Sequence, residues 1–262
     1  MQVLIFPSQD EATHAAAKRI AERIVGHLDI VLGLATGGTM EPVYARLIEI
    51  VREGGIDVSR ASSFNLDEYV GLAADHPQSY ATTMRRLLFD HLPFDPDRTR
   101  LPRGDAPDPL REAKLYEAMI AAAGGVELQL LGLGNNGHIG FNEPSSSLAS
   151  RTRIKRLTRN TIAANQRFFG PEETVPTHSI TMGIATIMEA REVMLVATGA
   201  AKAEAVAAMI EGPVSAACPA SALQYHPRAA IMLDPDAAAG LKLRDYYEDV
   251  HPGGREVYFA RR

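Results

Sequence analysis

Ile30-Val31-Leu32-Gly33-Leu34-Ala35-Thr36-Gly37-Gly38-Thr39 decides how the rest of the chain is read. Residues 30–35 form a continuous apolar run with no polar alternation. A strand with one solvated face alternates, whereas a strand covered on both faces need not. The run ends in Thr-Gly-Gly-Thr, and residues 40–53 then place Val43, Leu47, Ile48 and Val51 on one helical face. A buried strand that turns through glycines into an amphipathic helix is the opening half of a βαβ unit.

Outward from this segment the same alternation continues. Apolar runs at 3–6, 63–66, 128–133, 192–196 and 229–233 are predicted strands, with a short one at 153–157. Helical spacing predicts helices at 10–28, 79–92, 108–123, 161–169, 179–189 and 202–210, and another from 235. Pro93, Pro96, Pro102, Pro107 and Pro109 punctuate the connection between two of them. No stretch is rich enough in Pro, Gly or Ser to act as a linker between separate domains. The expected fold class is α/β: one domain over residues 1–262, with a mainly parallel twisted sheet and helices on both faces, a modified Rossmann-like arrangement.

Composition narrows the function classes. A net charge of −5 argues against a nucleic-acid or anionic-membrane partner, because phosphate backbones recruit basic faces. The single cysteine, Cys218, excludes an intrachain disulfide and fits a cytoplasmic setting. Residues 1–12 turn polar after Phe6 and lack a basic start, so no secretory signal is expected. No apolar stretch approaches a membrane span.

Ligands of open α/β sheets collect at the carboxyl ends of strands. Three polar clusters fall there. Thr36, Gly37, Gly38 and Thr39 offer backbone amides and a helix N-terminus, a setting that suits a phosphate and equally a bare turn. The loop is neither a Walker loop nor a GxGxxG fingerprint. In the second cluster, Asn65-Leu66-Asp67-Glu68-Tyr69, one carboxylate facing the crevice could take a proton from carbon. The third runs from Gly132 to Pro144 and holds His138 and Glu143, an imidazole and a carboxylate five residues apart across a turn. Asn136 beside them can orient but cannot ionise. With neither HExxH nor a cysteine pair, a zinc site is not expected.

Several segments, in order, resemble the glucosamine-6-phosphate deaminase family. They are Leu32 to Thr39, Phe64 to Leu72, Gly137 to Pro144, Ser147 to Lys155, Gly199 to Ala203 and Pro219 to Pro227. The resemblance spans about residues 1 to 250. It implies aldose–ketose isomerisation and deamination of an amino-sugar phosphate, with no cofactor and no metal. It assigns Asp67 to the C2–C1 proton transfer, and His138, Glu143 and position 136 to ring opening. Some relatives carry Asp at 136, where this chain has Asn136. The phosphate falls to residues 36–39, Arg167 and Lys202. Residues 160–182, with Arg167, Gly170 and Pro171, read as a mobile lid.

The resemblance also implies a homo-oligomer in some members, with hexamer and monomer both open. Those hexamers are activated by N-acetylglucosamine 6-phosphate, and Ser146, Arg153 and Lys155 match the effector positions, although Arg156 replaces a Thr. Tyr246 or Tyr247 is a further candidate at that site. A 6-phosphogluconolactonase-like hydrolase and a non-catalytic sugar-phosphate sensor are the competing functions. The first needs no C2 base, and the second needs no Asp67, His138 and Glu143 together.

Overall fold

The structure, a computed structural model, describes residues 1–170 and 173–255; Pro171 lies outside them. In chain order the elements are β1 (Gln2–Ile5), α1 (Gln9–Gly26), β2 (Val31–Leu34), α2 (Met40–Gly54), β3 (Ser62–Asn65), β4 (Asp67–Tyr69) and α3 (Tyr80–Leu87). Next come β5 (Thr99–Arg100), α4 (Pro109–Ala122), β6 (Leu128–Leu131), β7 (Arg153–Arg156), α5 (Arg159–Asn165) and β8 (His178–Thr181). The described chain closes with α6 (Ile184–Met188), β9 (Glu192–Ala197), α7 (Ala203–Ile210), β10 (Ala229–Leu233) and α8 (Arg244–Val250).

Seven strands form one sheet in the order β1-β10-β9-β6-β2-β3-β5, and every pairing is parallel. From β2 the chain steps outward to β3 and β5, then returns to lay β6 on the other side of β2. The strand order therefore reverses between β2 and β6, and a crevice opens at their carboxyl ends. The runs read as buried strands are buried at every position in β2, β6, β9 and β10. Ile20 and Ile24 of α1, Val43 and Leu47 of α2, Tyr116 and Ile120 of α4, and Val206 and Met209 of α7 complete one apolar core around them. Truncating one such residue, as in Leu47→Ala, costs about 2–5 kcal/mol.

A second, antiparallel sheet has the order β4-β8-β7. Only Leu66 separates β3 from β4. Its amide donates to Leu34 O (3.0 Å) and its carbonyl accepts from Met182 N (2.7 Å), so one residue is bonded into both sheets. Tyr69, Phe141, Leu157, Phe169 and Val175 pack beside this small sheet as a separate apolar cluster.

Some expectations are corrected. Residues 179–189 are not one helix. Ser179 and Thr181 alternate with Ile180 and Met182 along β8, and α6 starts only after Gly183. A β-carbon at Gly183 would lie 2.0 Å from Ser150 O, so backbone packs directly against it and the strand ends there. The helix expected from 235 is a run of turns to 240, and α8 begins at Arg244. Asp234 draws that turn in by accepting from Ala237 N and Gly199 N. The helix expected over 79–92 stops at Leu87, and a 3-10 turn, Phe89–His91, follows.

Candidate active site

A cavity of about 930 Å³ opens at the reversal point between β2 and β6. Residues 36–39 line it after β2, Asp67 after β3, and Asn135, Asn136 and His138 after β6; Arg167 and Lys202 close its far side. Of the expected catalytic and phosphate-binding residues, only Glu143 does not line the cavity. It sits behind His138, 1% exposed. Ser146, Arg153 and Lys155 lie off the cavity, as do Tyr246 and Tyr247.

One side of the cavity is built for an anion. Thr39 precedes the 15-residue helix α2 without making a side-chain cap; Met40 N is spent on Gly37 O (2.8 Å) and Pro42 has no N–H, so of the first three residues Glu41 N keeps no side-chain acceptor. Lys202 stands at the N-cap of α7 and donates from Nζ to Asn135 Oδ1 (2.6 Å). Burial, then the charge of Arg167, lowers the Lys202 pKa. Neither cation has a carboxylate partner within 4 Å among the described residues, and the Arg167 guanidinium lies 4.7 Å over the Phe168 ring. Two mutually repelling cations beside an uncapped helix start favour an anion.

The opposite side carries two carboxylates in contrasting settings. Asp67 opens β4 and is 6% exposed. Thr181 Oγ1 donates to Oδ2 at a long 3.4 Å. Burial first, and the neighbouring Glu68 charge second, push the Asp67 pKa up to about 8. Glu68 faces away and does other work. It accepts from Tyr69 N, Tyr80 N and Ala81 N, tying β4 to the start of α3. A β-carbon at Gly140 would stand 3.3 Å from Asp67 Oδ2, so glycine there keeps the carboxylate approachable.

Glu143 is rich in donors. Asn136 Nδ2 donates to Oε2 (2.8 Å), and His138 Nδ1 lies 3.3 Å from the same oxygen. That imidazole nitrogen is buried without an aligned hydrogen bond, so its contact with Glu143 is one of proximity. Thr158 N, Thr158 Oγ1 and Thr161 Oγ1 all donate to Oε1. Burial alone would raise the Glu143 pKa; the His138 imidazole close beside it and hydrogen bonds from Thr161 and Asn136 outweigh burial and hold the carboxyl at about 2. Gly134 leaves room for the imidazole, since a β-carbon there would lie 2.4 Å from the His138 ring. The sequence reading gives Asn136 an orienting part; its side-chain amide holds Glu143, while its Oδ1 accepts the His138 backbone N–H (3.3 Å).

Other functional positions have no signal in the sequence reading. Tyr80 lines the cavity, and its hydroxyl reaches Tyr69 (3.3 Å) and Thr36. Asn165 donates to Tyr69 (2.8 Å) from the segment read as a lid. Thr158 and Thr161 reach Glu143 across 15 and 18 residues; only the Thr-x-x-Thr spacing ahead of a helix hints at a cap. Among the effector candidates, Arg153 donates to Asn142 Oδ1 (2.8 Å) and Ser146 Oγ to Glu143 O (2.6 Å). Among the described residues no group of three or more His, Cys, Asp or Glu is placed to hold a metal ion, and no helix is long and apolar enough to cross a membrane.

Known proteins resemble this chain in sequence and fold. The family described as glucosamine-6-phosphate isomerases/6-phosphogluconolactonase matches residues 7–232. A glucosamine-6-phosphate deaminase of Hahella chejuensis is 51% identical over 94% of this chain and 94% of its own. One from Streptomyces avermitilis is 50% identical, covering 97% of both. A solved monomeric glucosamine-6-phosphate deaminase superposes with a TM-score of 0.90 at 40% identity, over 92% of this chain and all of that one. The 6-phosphogluconolactonase of Trypanosoma brucei superposes at 0.70 with 22% identity, over 92% of this chain and 98% of its own, a likeness of fold. With the reversal-point cavity, its anion side and its two carboxylates, these matches place the chain in the glucosamine-6-phosphate isomerase/6-phosphogluconolactonase family.

Proposed function

We propose that this protein converts glucosamine 6-phosphate and water to fructose 6-phosphate and ammonia. The carrying observation is Asp67, a buried carboxylate with a long hydrogen bond from Thr181 and the Glu68 charge beside it, lining the same cavity as His138, Arg167 and Lys202. A lactone hydrolase has no carbon-bound proton to move, and a sensor has no need of a carboxylate held at high proton affinity.

In this reading residues 36–39, Arg167 and Lys202 hold the phosphate. His138, backed by Glu143, moves the O1 proton to O5 and opens the pyranose. Asp67 takes the proton from C2 and returns it to C1, leaving an imine at C2. Water adds there and ammonia leaves. The high proton affinity of Asp67 suits a base whose task is a carbon acid. No step calls for a redox group or a metal. The reading places the reaction in the cytoplasm, since a phosphorylated sugar is charged and retained where it is made.

Ser146, Arg153 and Lys155 serve in the same reading as an effector site for N-acetylglucosamine 6-phosphate. Arg153 supports it: the guanidinium is half-buried, burial lowers its pKa, and it has no carboxylate partner among the described residues. Coupled measurement of ammonia and fructose 6-phosphate from glucosamine 6-phosphate, with and without N-acetylglucosamine 6-phosphate, tests both. Absence of ammonia sinks the reaction; an unchanged rate with the acetylated sugar sinks the effector site alone.

A further inference from the structure

The Glu143 carboxylate is shared between two regions of the molecule, one oxygen to each. Oε2 faces the loop after β6, where Asn136 and His138 meet it. Oε1 faces the segment over the cavity, where Thr158 and Thr161 meet it. Thr158 also caps α5 by accepting from Thr161 N (3.2 Å), so the two hydroxyls and the helix start form one unit around that oxygen. Thr161 is 8% exposed and Glu143 1% exposed. Water cannot readily replace these donors, and loss of one leaves a buried carboxylate oxygen short of partners.

The same segment lines the cavity through Asn160, Thr161 and Asn165 and leads directly to Arg167. Seating the segment and fixing the Glu143 carboxylate are thus a single event. Glu143 has to be ionised and aimed at His138 Nδ1 to steady the imidazolium formed while a proton moves. With the segment lifted, Oε1 loses both threonine hydroxyls and the carboxylate is free to rotate.

We propose that Thr161, acting with Thr158, is a positioning residue for ring opening: its hydroxyl lets the segment 158–168 fix the Glu143 carboxylate against His138, so that the relay is assembled only when the segment that brings Arg167 is seated. This rests on the ring-opening role given to His138 and Glu143 above. The groups facing Glu143 are Asn136 and His138 from the loop after β6, and Thr158 and Thr161 from the overlying segment. Only His138 among them ionises, and Arg153 reaches the same loop through Asn142.

The test compares Thr161→Val, which keeps the volume and removes the hydroxyl, with Thr161→Ser, which keeps the hydroxyl. With glucosamine 6-phosphate, T161V is expected to lose about tenfold or more in kcat with KM within about twofold, and T161S to stay within about threefold of wild type. The acid limb of the T161V pH–rate profile should move to higher pH, because a carboxylate that loses a donor protonates more easily. The open-chain amino-alcohol phosphate obtained by reducing the substrate needs no ring opening, so it should bind wild type and T161V alike. Independently of turnover, backbone amides of 158–165 should exchange hydrogen faster in both T161V and Glu143→Gln than in wild type.

Wild-type kcat and pH profile in T161V would overturn the proposal, as would a loss confined to KM. A T161V protein that no longer binds the open-chain analogue would assign the hydroxyl to the build of the cavity, and overturn it too. Wild type that makes no ammonia defeats the functional reading instead. The exchange measurement then still judges whether Thr161 and Glu143 hold the segment, and equal exchange in all three proteins rejects that link.

Discussion

Asp67 and Glu143 are both carboxylates, both buried, and both serve one cavity, yet their surroundings push them in opposite directions. Asp67 has a long bond from Thr181, the Phe141 amide nearby and a like charge beside it, and its pKa rises to about 8. Glu143 collects donors from Asn136, Thr158 and Thr161, and its pKa falls to about 2. Burial acts on both with the same sign, so the neighbouring charge, Glu68 beside Asp67 and His138 beside Glu143, and the donor supply decide. A carboxylate starved of donors holds a proton eagerly and suits proton abstraction from carbon. One saturated with donors keeps its charge and suits holding an imidazolium.

The strongest way to break the contrast is Asp67→Asn. It removes the acceptor while keeping the shape, and kcat for ammonia release should fall about 10³-fold or more with KM little changed. Stability should move the other way. Because the folded-state pKa of Asp67 is raised, its contribution is present at low pH and is lost as pH rises toward 8. D67N should therefore melt higher than wild type at pH 9, by about 1–3 kcal/mol of stability, with the gap closing toward pH 5. Equal melting curves at pH 9 would show that Asp67 is not strained by its burial.

Glu143→Gln attacks the other side. Glutamine cannot carry charge toward His138 and accepts through one oxygen only, so kcat should drop about 10²-fold. Its stability sign is opposite: the depressed pKa contributes above about pH 4, and that contribution is lost as pH falls toward 2. Wild type should thus lose its stability advantage over E143Q on acidification, which melting curves from pH 7 to pH 3 would show. Lys202→Met leaves both carboxylates alone and serves as the control. KM should rise about tenfold to thirtyfold with kcat within about threefold. A loss mainly in kcat would instead place Lys202 at the reacting carbons.

Asn136→Asp sharpens the comparison with the smallest effect. Asn136 Nδ2 now donates to Glu143 Oε2, and an aspartate there would face that oxygen with a second charge. One proton would be shared between them. The acid limb of the pH–rate profile should move upward, with a change in maximal rate of about threefold. An unchanged profile would mean that residue 136 does not tune the relay.

Much of this is legible in the chain. The unbroken apolar runs at β2, β6, β9 and β10 announce strands covered on both faces, and the glycine-rich clusters after β2 and β6 mark the crevice. What stays hidden has particular causes. β4 is Asp67-Glu68-Tyr69, where two adjacent acids give no strand signal; nothing local tells that Glu68 is spent on three backbone amides. β8 reads as helix because Ile180, Ile184 and Ile187 fit helical spacing across a break that only the packing of Gly183 against Ser150 creates. Asn136 and Glu143 are seven residues apart, and nothing local tells that the amide of one holds the carboxylate of the other. Thr158 and Thr161 meet Glu143 only through tertiary folding, and no periodicity records such a contact.

Leu66 has a consequence for which sugars fit. The phosphate loop leaves the parallel sheet at β2, and Asp67 enters the small sheet one residue after β3, with Leu66 bonded to Leu34 on one side and Met182 on the other. In the proposed reading the span from the 36–39 loop to the base is therefore set by strand spacing and one peptide unit, both stiff, while Arg167 and Lys202 reach the phosphate from the far side. Such a frame acts as a ruler for carbon count. In that reading it would set C2 of a six-carbon chain at the carboxylate and leave the equivalent carbon of a shorter or longer sugar phosphate out of register even with its phosphate held equally well.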